Sequence, residues 1–263
     1  MFDWQYDIHA PTLMGLCILL FVGFEWLGLI LVRPFLFFFV RGQRNLNEMV
    51  GYLLGFYSVF YGLLLGLLIV AGYQNYVDVR TDVVQEATEI ASLSRVSQVL
   101  PAPVHEKIQA SLLKYIQITI DEEWPQQQAG ITPNSQNPMV TALQQALFSF
   151  EPATKREEVA LDHAVQTFYQ MFEARRIRLS AATTHLPGIL WYVVLVGGFL
   201  SLVLVWLFDA RVTLHFVLGG LLAVLIATMI AVLVALDNPF SGDIGVTPEP
   251  FVVVQQYITA DGK

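Results

Sequence analysis

Four long apolar segments constrain the fold of this chain more than any other feature of its sequence. They cover residues 12–32, 51–73, 188–208 and 214–236. Each matches the roughly 20 residues that a helix needs to cross the hydrocarbon core of a bilayer. The last three contain no Asp, Glu, Lys or Arg, and the first contains a single one, Glu25. The pattern therefore predicts four membrane-spanning helices.

The first apolar segment is predicted to be a retained helix rather than a signal peptide. Asp3 and Asp7 precede it, without the lysine or arginine that begins a signal peptide. With four spans, both ends of the chain and the polar segment 74–185 lie on one side of the membrane. Lysine and arginine near the spans usually mark the cytoplasmic side. Here they divide evenly, so the side stays open: Arg33, Arg41, Arg44 and Arg211 lie by the short connections, and Arg80, Arg175, Arg176 and Arg178 by the polar segment.

The polar segment is predicted to be a helical domain. Apolar residues recur in it at helical spacing, and prolines at 101, 103 and 152 separate the helices. The predicted helices cover 77–100, 104–128 and 153–184, and the first and last are expected to continue spans two and three as stalks. The fold class is thus an all-α membrane protein. Its segments are 1–73 with spans one and two, 74–185 with the extramembrane domain, 186–236 with spans three and four, and 237–263 with a tail.

Composition narrows the classes of function. The net charge is −8, whereas a nucleic-acid-binding protein needs a basic surface for the phosphates, so no nucleic-acid partner is expected. The single cysteine, Cys17, excludes an internal disulfide and a cysteine-based metal site. The histidines lack metal-ligand spacing, and no glycine-rich phosphate loop or nucleophile elbow occurs. The chain is therefore not expected to be an enzyme.

The second apolar segment carries small residues along one helical face. This stripe comprises Gly51, Gly55, Ser58, Gly62, Gly66, Ile69, Tyr73 and Tyr76. One interpretation is close helix packing, because glycine lets two backbones approach. The other is an axial pathway for small inorganic ions. Its pore-lining residues would be Gly55, Ser58, Gly62, Gly66, Ile69 and Tyr73.

Glu25 is an ionisable residue at membrane depth. Such residues are costly in a bilayer, face a bundle interior or a water-filled cavity, and commonly mark a functional site. The candidate partners on other spans are Ser58, Tyr57, Tyr61 and Thr228. The alternatives are a hydrogen bond to Trp26 of a neighbouring chain, or a carboxylate that reaches the interface near Arg33.

Two charged groups in the domain are predicted to be structural. Glu122 and Glu123 lie near the end of a predicted helix without a third metal ligand, so we expect a solvated helix face. Arg175, Arg176 and Arg178 precede the third span. We expect them to fix the topology of that span rather than to bind phosphate.

The tail after the fourth span is the most specific motif. Asn238 and Pro239 end the helix, and Gly242 and Gly245 permit unusual backbone angles. One interpretation is a structural exit turn followed by a docked extended segment. The other is a bound cation such as Ca²⁺, because hard cations take roughly 6–8 oxygen ligands. The candidate ligands are Asp237, Asn238, Asp243 and Glu249.

The tail also carries a resemblance to a known family. The run Leu-Asp-Asn-Pro-Phe-Ser-Gly-Asp at 236–243, followed by Pro-Glu-Pro-Phe at 248–251, resembles the bestrophin-like family of bacterial membrane proteins. Further pieces extend the resemblance over the whole chain. They are the Tyr-Gly-Leu-Leu-Leu-Gly stretch at 61–66, Glu86, the Glu-Trp-Pro run at 123–125 and the Ala-Arg-Arg run at 174–176.

The resemblance implies an oligomeric ion channel in a lipid bilayer, the bacterial plasma (inner) membrane. Bestrophins are pentamers whose second span lines the pore, and in them the termini and domain are cytoplasmic. A symmetric homo-oligomer is therefore expected here. Asn238, Pro239 and Phe240 match part of the bestrophin calcium clasp by position, but the acidic run that follows is reduced to Asp243 and Glu249.

Two other functions stay open from the sequence. The size of the polar domain suggests a membrane-anchored sensor or partner-binding protein without conductance. Glu25 suggests a transporter, although four spans without an internal repeat suit a transporter poorly unless several chains assemble.

Overall fold

The structure is a computed structural model that describes residues 9–40, 45–133 and 137–261. The described residues form helices and connecting segments, and none of them lies in a β-strand. Its helices are α1 (Ala10–Leu31), α2 (Arg33–Val40), α3 (Leu46–Ser97), α4 (Ala102–Ile118), α5 (Trp124–Gln128), α6 (Pro138–Phe148), α7 (Lys155–Ala181), α8 (Gly188–Trp206), α9 (Val212–Asp237) and α10 (Glu249–Asp261). A π-helical turn, Thr119–Glu123, joins α4 to α5. The arginines at 41 and 44 lie outside the described residues.

Among the described residues, α1, α3, α8 and α9 are long and apolar enough to cross a membrane. These are the four spans that the apolar segments predict. The fold class is confirmed: an all-α membrane protein with a helical domain inserted between the second and third spans.

The chain divides into two compact units, and the first holds the spans. This membrane unit takes its described residues from Met1–Gln74, His185–Asp237 and Gly242–Ile244. Within it, α1 packs along α9, and α8 packs against both. Its core is apolar and includes Phe21, Tyr61, Leu65, Val194, Leu202, Ala223 and Ile226. Many large apolar side chains point outward instead, such as Leu19 at 72% exposure, as expected for a surface that faces lipid.

The second unit, the domain unit, holds Asn75–Thr184, Asn238–Ser241 and the described part of Gly245–Lys263. Its core combines the second half of α3 with α4, α6, α7 and α10, through residues such as Val83, Ile90, Leu112, Leu143, Met171 and Phe251. The start of α7 is fixed by a capping box between Thr154 and Glu157. Asn137 is the N-cap of α6, and its side chain accepts a hydrogen bond from the Met139 amide.

The stalk predictions are half right. The helix after the second span is continuous with it, because α3 runs for 52 residues. The helix before the third span is not: α7 ends at Ala181, and α8 begins only at Gly188. Pro187 is the N-cap of α8, and it keeps the helix from continuing through residue 186, because a proline disfavours the helical conformation in the residue before it.

The prediction of an extended tail is wrong. Residues Glu249–Asp261 form a helix, α10, and Pro250 lies in its first turn, where proline is tolerated. Phe251, Val254 and Ile258 recur at helical spacing and are buried. Packing on the domain core stabilises this helix although it contains Val252, Val253 and Val254, and β-branched residues favour strands.

Candidate pore-lining face and buried polar sites

The predicted pore-lining residues share one face of α3, here called the glycine face (Gly55, Ser58, Gly62, Gly66, Ile69 and Tyr73). A Cβ added at Gly55, Gly62 or Gly66 would meet no described atom from outside its own helix within 4 Å. The other three members are exposed or half-exposed. At the three glycines, therefore, no described helix of the same chain packs on this face, whereas Ile69 packs against the membrane core.

The opposite face of α3 is attached to α8 by two tyrosines. The Tyr57 hydroxyl donates to the Gly197 carbonyl at 2.8 Å, and the Tyr61 hydroxyl donates to the Val194 carbonyl at 2.7 Å. Gly197 makes this approach feasible, because a methyl group there would overlap the Tyr61 ring. The two bonds fix the rotation of α3 about its own axis, and the glycine face is directed away from α8.

Two glycine substitutions should distinguish the packed contact between α3 and α8 from the open glycine face. We expect Gly197→Ala to destabilise the protein by about 1–3 kcal/mol, because the ring of Tyr61 must move to admit the methyl group. We expect Gly55→Ala to be neutral or slightly stabilising, because its Cβ meets open space and alanine favours the helix. Thermal unfolding in one detergent measures both. Equal midpoints for the two variants would contradict the assignment of the faces.

Glu25 hydrogen-bonds with none of its predicted partners. It is fully buried in the membrane unit, and its Oε2 accepts a 2.7 Å hydrogen bond from the Trp206 indole. Its Oε1 has no hydrogen-bond partner among the described residues. Gly219 on α9 provides the room, since a methyl group there would overlap Oε1. His215, one helical turn before Gly219, is also buried, and within the described part of the chain neither ring nitrogen has a hydrogen-bond partner.

Three of the four candidate cation ligands of the tail already form hydrogen bonds within the protein. Asp237 accepts from the Leu186 amide at 2.7 Å, and Asn238 accepts from the Phe240 amide at 3.2 Å. Asp243 bonds His9 at 2.9 Å and the Ala10 amide at 3.1 Å. Glu249 is exposed at the start of α10. Among the described residues, no group of three or more His, Cys, Asp or Glu could hold a metal ion, and Ca²⁺ binding stays a prediction.

Two glutamates and two arginines form a buried ionic cluster in the domain unit. Arg178 pairs with Glu86 through Nε and Oε2 at 2.6 Å, and with Glu123 through Nη2 and Oε2 at 2.9 Å. Arg175 pairs with Glu123 at 2.6 Å. All four side chains are at most 6% exposed. Their charges balance, so the cluster adds no net charge to the core.

Neutral side chains add further hydrogen bonds to the ionic cluster. The Tyr115 hydroxyl donates to Glu86, and the Asn137 amide donates to Glu123 at 3.0 Å. The Gln127 side-chain oxygen accepts a hydrogen bond from the Arg178 guanidinium, and the Gln127 side-chain nitrogen donates one to the backbone carbonyl of Arg178. Buried charges are tolerated only with such additional bonds, because their separation from water is costly.

The tail covers the ionic cluster within the domain unit. The ring of Phe251 lies 5.6 Å from the Arg178 guanidinium carbon, a distance at which a cation and an aromatic face attract. Phe240 and Phe251 both pack against Trp124, with ring centroids 5.4 and 6.1 Å apart. The Asn-Pro-Phe and Pro-Glu-Pro-Phe motifs therefore have a packing role here.

The structure corrects both predictions about charged residues in the domain. Glu122 is exposed as expected, but Glu123 is buried, because the π-helical turn adds a residue and turns it toward the core. Arg175 and Arg178 are ion-paired in the core rather than placed to set topology. Arg176 alone is exposed, where it pairs with Glu173 on the same helix.

Glu123 makes the stability of the domain unit depend on pH. Burial alone would raise the pKa of this carboxyl, but Arg175 and Arg178 outweigh burial and hold the pKa below its ordinary value. The stabilisation is thus complete above about pH 4.3, the ordinary glutamate pKa, and is lost as pH falls through the lower folded pKa. The protection of the α4 and α7 amides against hydrogen exchange, relative to the intrinsic rate at each pH, should fall in that acidic window. If Glu123→Gln leaves this acid dependence unchanged, the assignment is wrong.

These features define a class: an all-helical membrane protein with four candidate spans and a helical domain inserted between the second and third. Comparison with known proteins then gives the family. A family model described as the bestrophin-like domain matches residues 19–251. The chain belongs to the bestrophin-like family, and the resemblance carried by the tail is confirmed.

Solved structures agree with this assignment. The fold is similar to that of a bacterial bestrophin homologue from Klebsiella pneumoniae, with a TM-score of 0.67 and 13% identity over 94% of this chain and 99% of that chain. A second similar crystal structure, described only as a membrane protein, gives a TM-score of 0.64 and 12% identity over 94% and 97% of the two chains. None of the curated proteins matches the chain. At these identities the likeness establishes the fold.

Proposed function

We propose that the protein is an oligomeric ion channel whose central pore is lined by the glycine face of α3. The observation that carries this proposal is the uncovered glycine face on a helix whose rotation is fixed by Tyr57 and Tyr61. In a symmetric ring, the same face of every copy would meet at the axis. Membership of the bestrophin-like family supports this arrangement, with the bacterial inner membrane as the location.

The chemistry of the glycine face suits a neutral pathway. It carries the Ser58 hydroxyl and backbone exposed by glycines but no charged side chain. Selectivity would then come from pore width and hydrogen-bonding groups rather than from a ring of charges. A single protomer with four spans cannot enclose such a pathway, so the proposal requires several copies.

Planar bilayer recording tests the proposal. Purified protein, checked for folding and for oligomeric state, should give discrete current steps under chloride, sodium or potassium gradients. A folded oligomer that is silent under all three gradients would contradict the channel function.

A sensor or partner-binding protein without conductance is the second candidate. The domain unit favours it, because this unit has its own core and exceeds what a pore requires. A stoichiometric partner recovered with the solubilised protein, together with silence in bilayers, would favour this function over the channel.

A further inference from the structure

We propose that Glu25 and His215 form a proton-binding site inside the membrane unit. Glu25 holds the proton as a neutral carboxylic acid, and His215 exchanges that proton with the aqueous phase beside the short connection between α8 and α9. The site is separate from the glycine face and does not depend on whether the chain conducts ions.

Three helices build the site. Glu25 comes from α1, Trp206 from the end of α8, and His215 from the first turn of α9. Glycines let the helices close around it: a side chain at Gly28 would overlap the Trp206 indole, and one at Gly219 would overlap the Glu25 carboxyl. Glu25 is 0% exposed, Trp206 and His215 3% each. The site is therefore closed within one protomer.

Among the described residues around Glu25, His215 is the one group that could balance a negative charge, and it does so only when it carries a second proton. From α8 the carboxyl receives one hydrogen bond, from the neutral Trp206 indole. On α9, Gly219 lies against the carboxyl, and His215 is the ionisable residue one turn earlier. The Tyr57 and Tyr61 hydroxyls of α3 donate to carbonyls of α8. Arg33, two turns beyond Glu25, donates to the Phe208 and Ala210 carbonyls.

A proton on Oε1 satisfies these constraints best. An isolated buried carboxylate is costly in a medium without water, and such groups become neutral instead. Oε2 is occupied by the Trp206 hydrogen bond, so the proton belongs on Oε1, the oxygen without a partner. A metal ion is disfavoured, because no third His, Cys, Asp or Glu among the described residues joins the pair.

His215 provides the route for the proton. It lies one turn, about 6 Å of helix rise, from Gly219, on the side where α9 begins. The Oε1 proton passes through one water to a ring nitrogen of His215, which leaves a carboxylate and an imidazolium. Both ring nitrogens of His215 are buried, so the imidazolium releases a proton from its other nitrogen when the start of α9 opens briefly to water, and Glu25 takes up a new proton by the reverse steps. Histidine suits this exchange because it gains and loses a proton near neutral pH.

Infrared spectroscopy of the full-length protein in detergent tests the proton on Glu25. At neutral pH the wild type should show the C=O stretching band of a protonated carboxylic acid, shifted by D₂O. Glu25→Gln, which has nearly the shape of the neutral acid, should fold and lose the band. Glu123→Gln is the matched control: its buried glutamate is ion-paired with two arginines, so the band should stay.

Each result decides the proposal. If the wild type lacks the band, Glu25 is ionised. If the band persists unchanged in Glu25→Gln, it comes from another residue. Either result would contradict a protonated Glu25. His215→Gln should keep the band but slow its exchange into D₂O at least about tenfold. An unchanged exchange rate would overturn the role of His215. The wild-type band and its D₂O shift test the site even if a variant fails to fold.

Discussion

Arg178→Met is expected to unfold most of the domain unit. The substitution leaves the buried carboxylates of Glu86 and Glu123 facing each other, with only Arg175 to balance them. Breaking a buried ion pair by removing one partner costs about 3–5 kcal/mol. That is a large share of the roughly 5–15 kcal/mol by which a domain is stable. Circular dichroism and hydrogen exchange of α4 and α7 in detergent should both report the loss.

The adjacent arginine supplies the control. Arg176 pairs with Glu173 at the exposed surface of the same helix, and exposed pairs contribute little. Arg176→Met should therefore leave the unfolding midpoint nearly unchanged. Adding Glu86→Gln to Arg178→Met should recover part of the lost stability, because it removes the charge left unpaired. Equal effects of the two arginine variants would show that the ionic cluster is not what holds the domain together.

Gly62→Leu is expected to reduce the conductance at least about tenfold while the protein stays folded. In one protomer the Cβ of the new side chain meets no described atom within 4 Å, and leucine favours the helix over glycine. In a ring, every copy would add a leucine at the same level of the pore. A narrow ring of apolar side chains obstructs ion flow by excluding water. Single-channel recording of wild type and variant at matched protein amounts measures the effect.

Gly15→Leu is the matched control for Gly62→Leu. Gly15 lies in a different span, α1, and a Cβ added there also meets nothing within 4 Å. The two variants therefore introduce the same side chain into equally open positions of the protomer. Loss of current in Gly62→Leu but not in Gly15→Leu supports the pore location. Comparable currents in both variants would exclude the glycine face as the pore lining.

The features that follow from local pattern were predictable from the sequence. The four spans follow from segment length and apolarity, because a bilayer imposes both. The break between α3 and α4 follows from Pro101 and Pro103. The glycine face follows from helical periodicity alone, and the position of Glu25 inside a span was evident because charged residues are rare there.

The partners of the polar residues were not predictable, because they are distant in sequence. Glu86 and Arg178 lie 92 residues apart, and Glu25 and Trp206 lie 181 apart. A π-helical turn leaves no periodicity that would reveal that Glu123 points inward. The histidines lack metal-ligand spacing, so no pattern in the sequence singles out His215, and none marks Trp206 as a partner of Glu25. Glu86 and Glu123 match Arg175 and Arg178 in number and opposite charge, and this match is the one signal in the sequence that could have suggested buried ion pairs.

The reaction of a cysteine on the glycine face during current recording tests directly whether α3 lines the pore. The chain has a single cysteine, Cys17, so Cys17→Ser provides a clean background for Gly62→Cys and Gly15→Cys. We predict that a charged, water-soluble thiol reagent blocks the current of the Gly62→Cys channel and leaves that of the Gly15→Cys channel intact. Current through the Gly62→Cys protein that persists after complete modification would contradict a pore lined by α3.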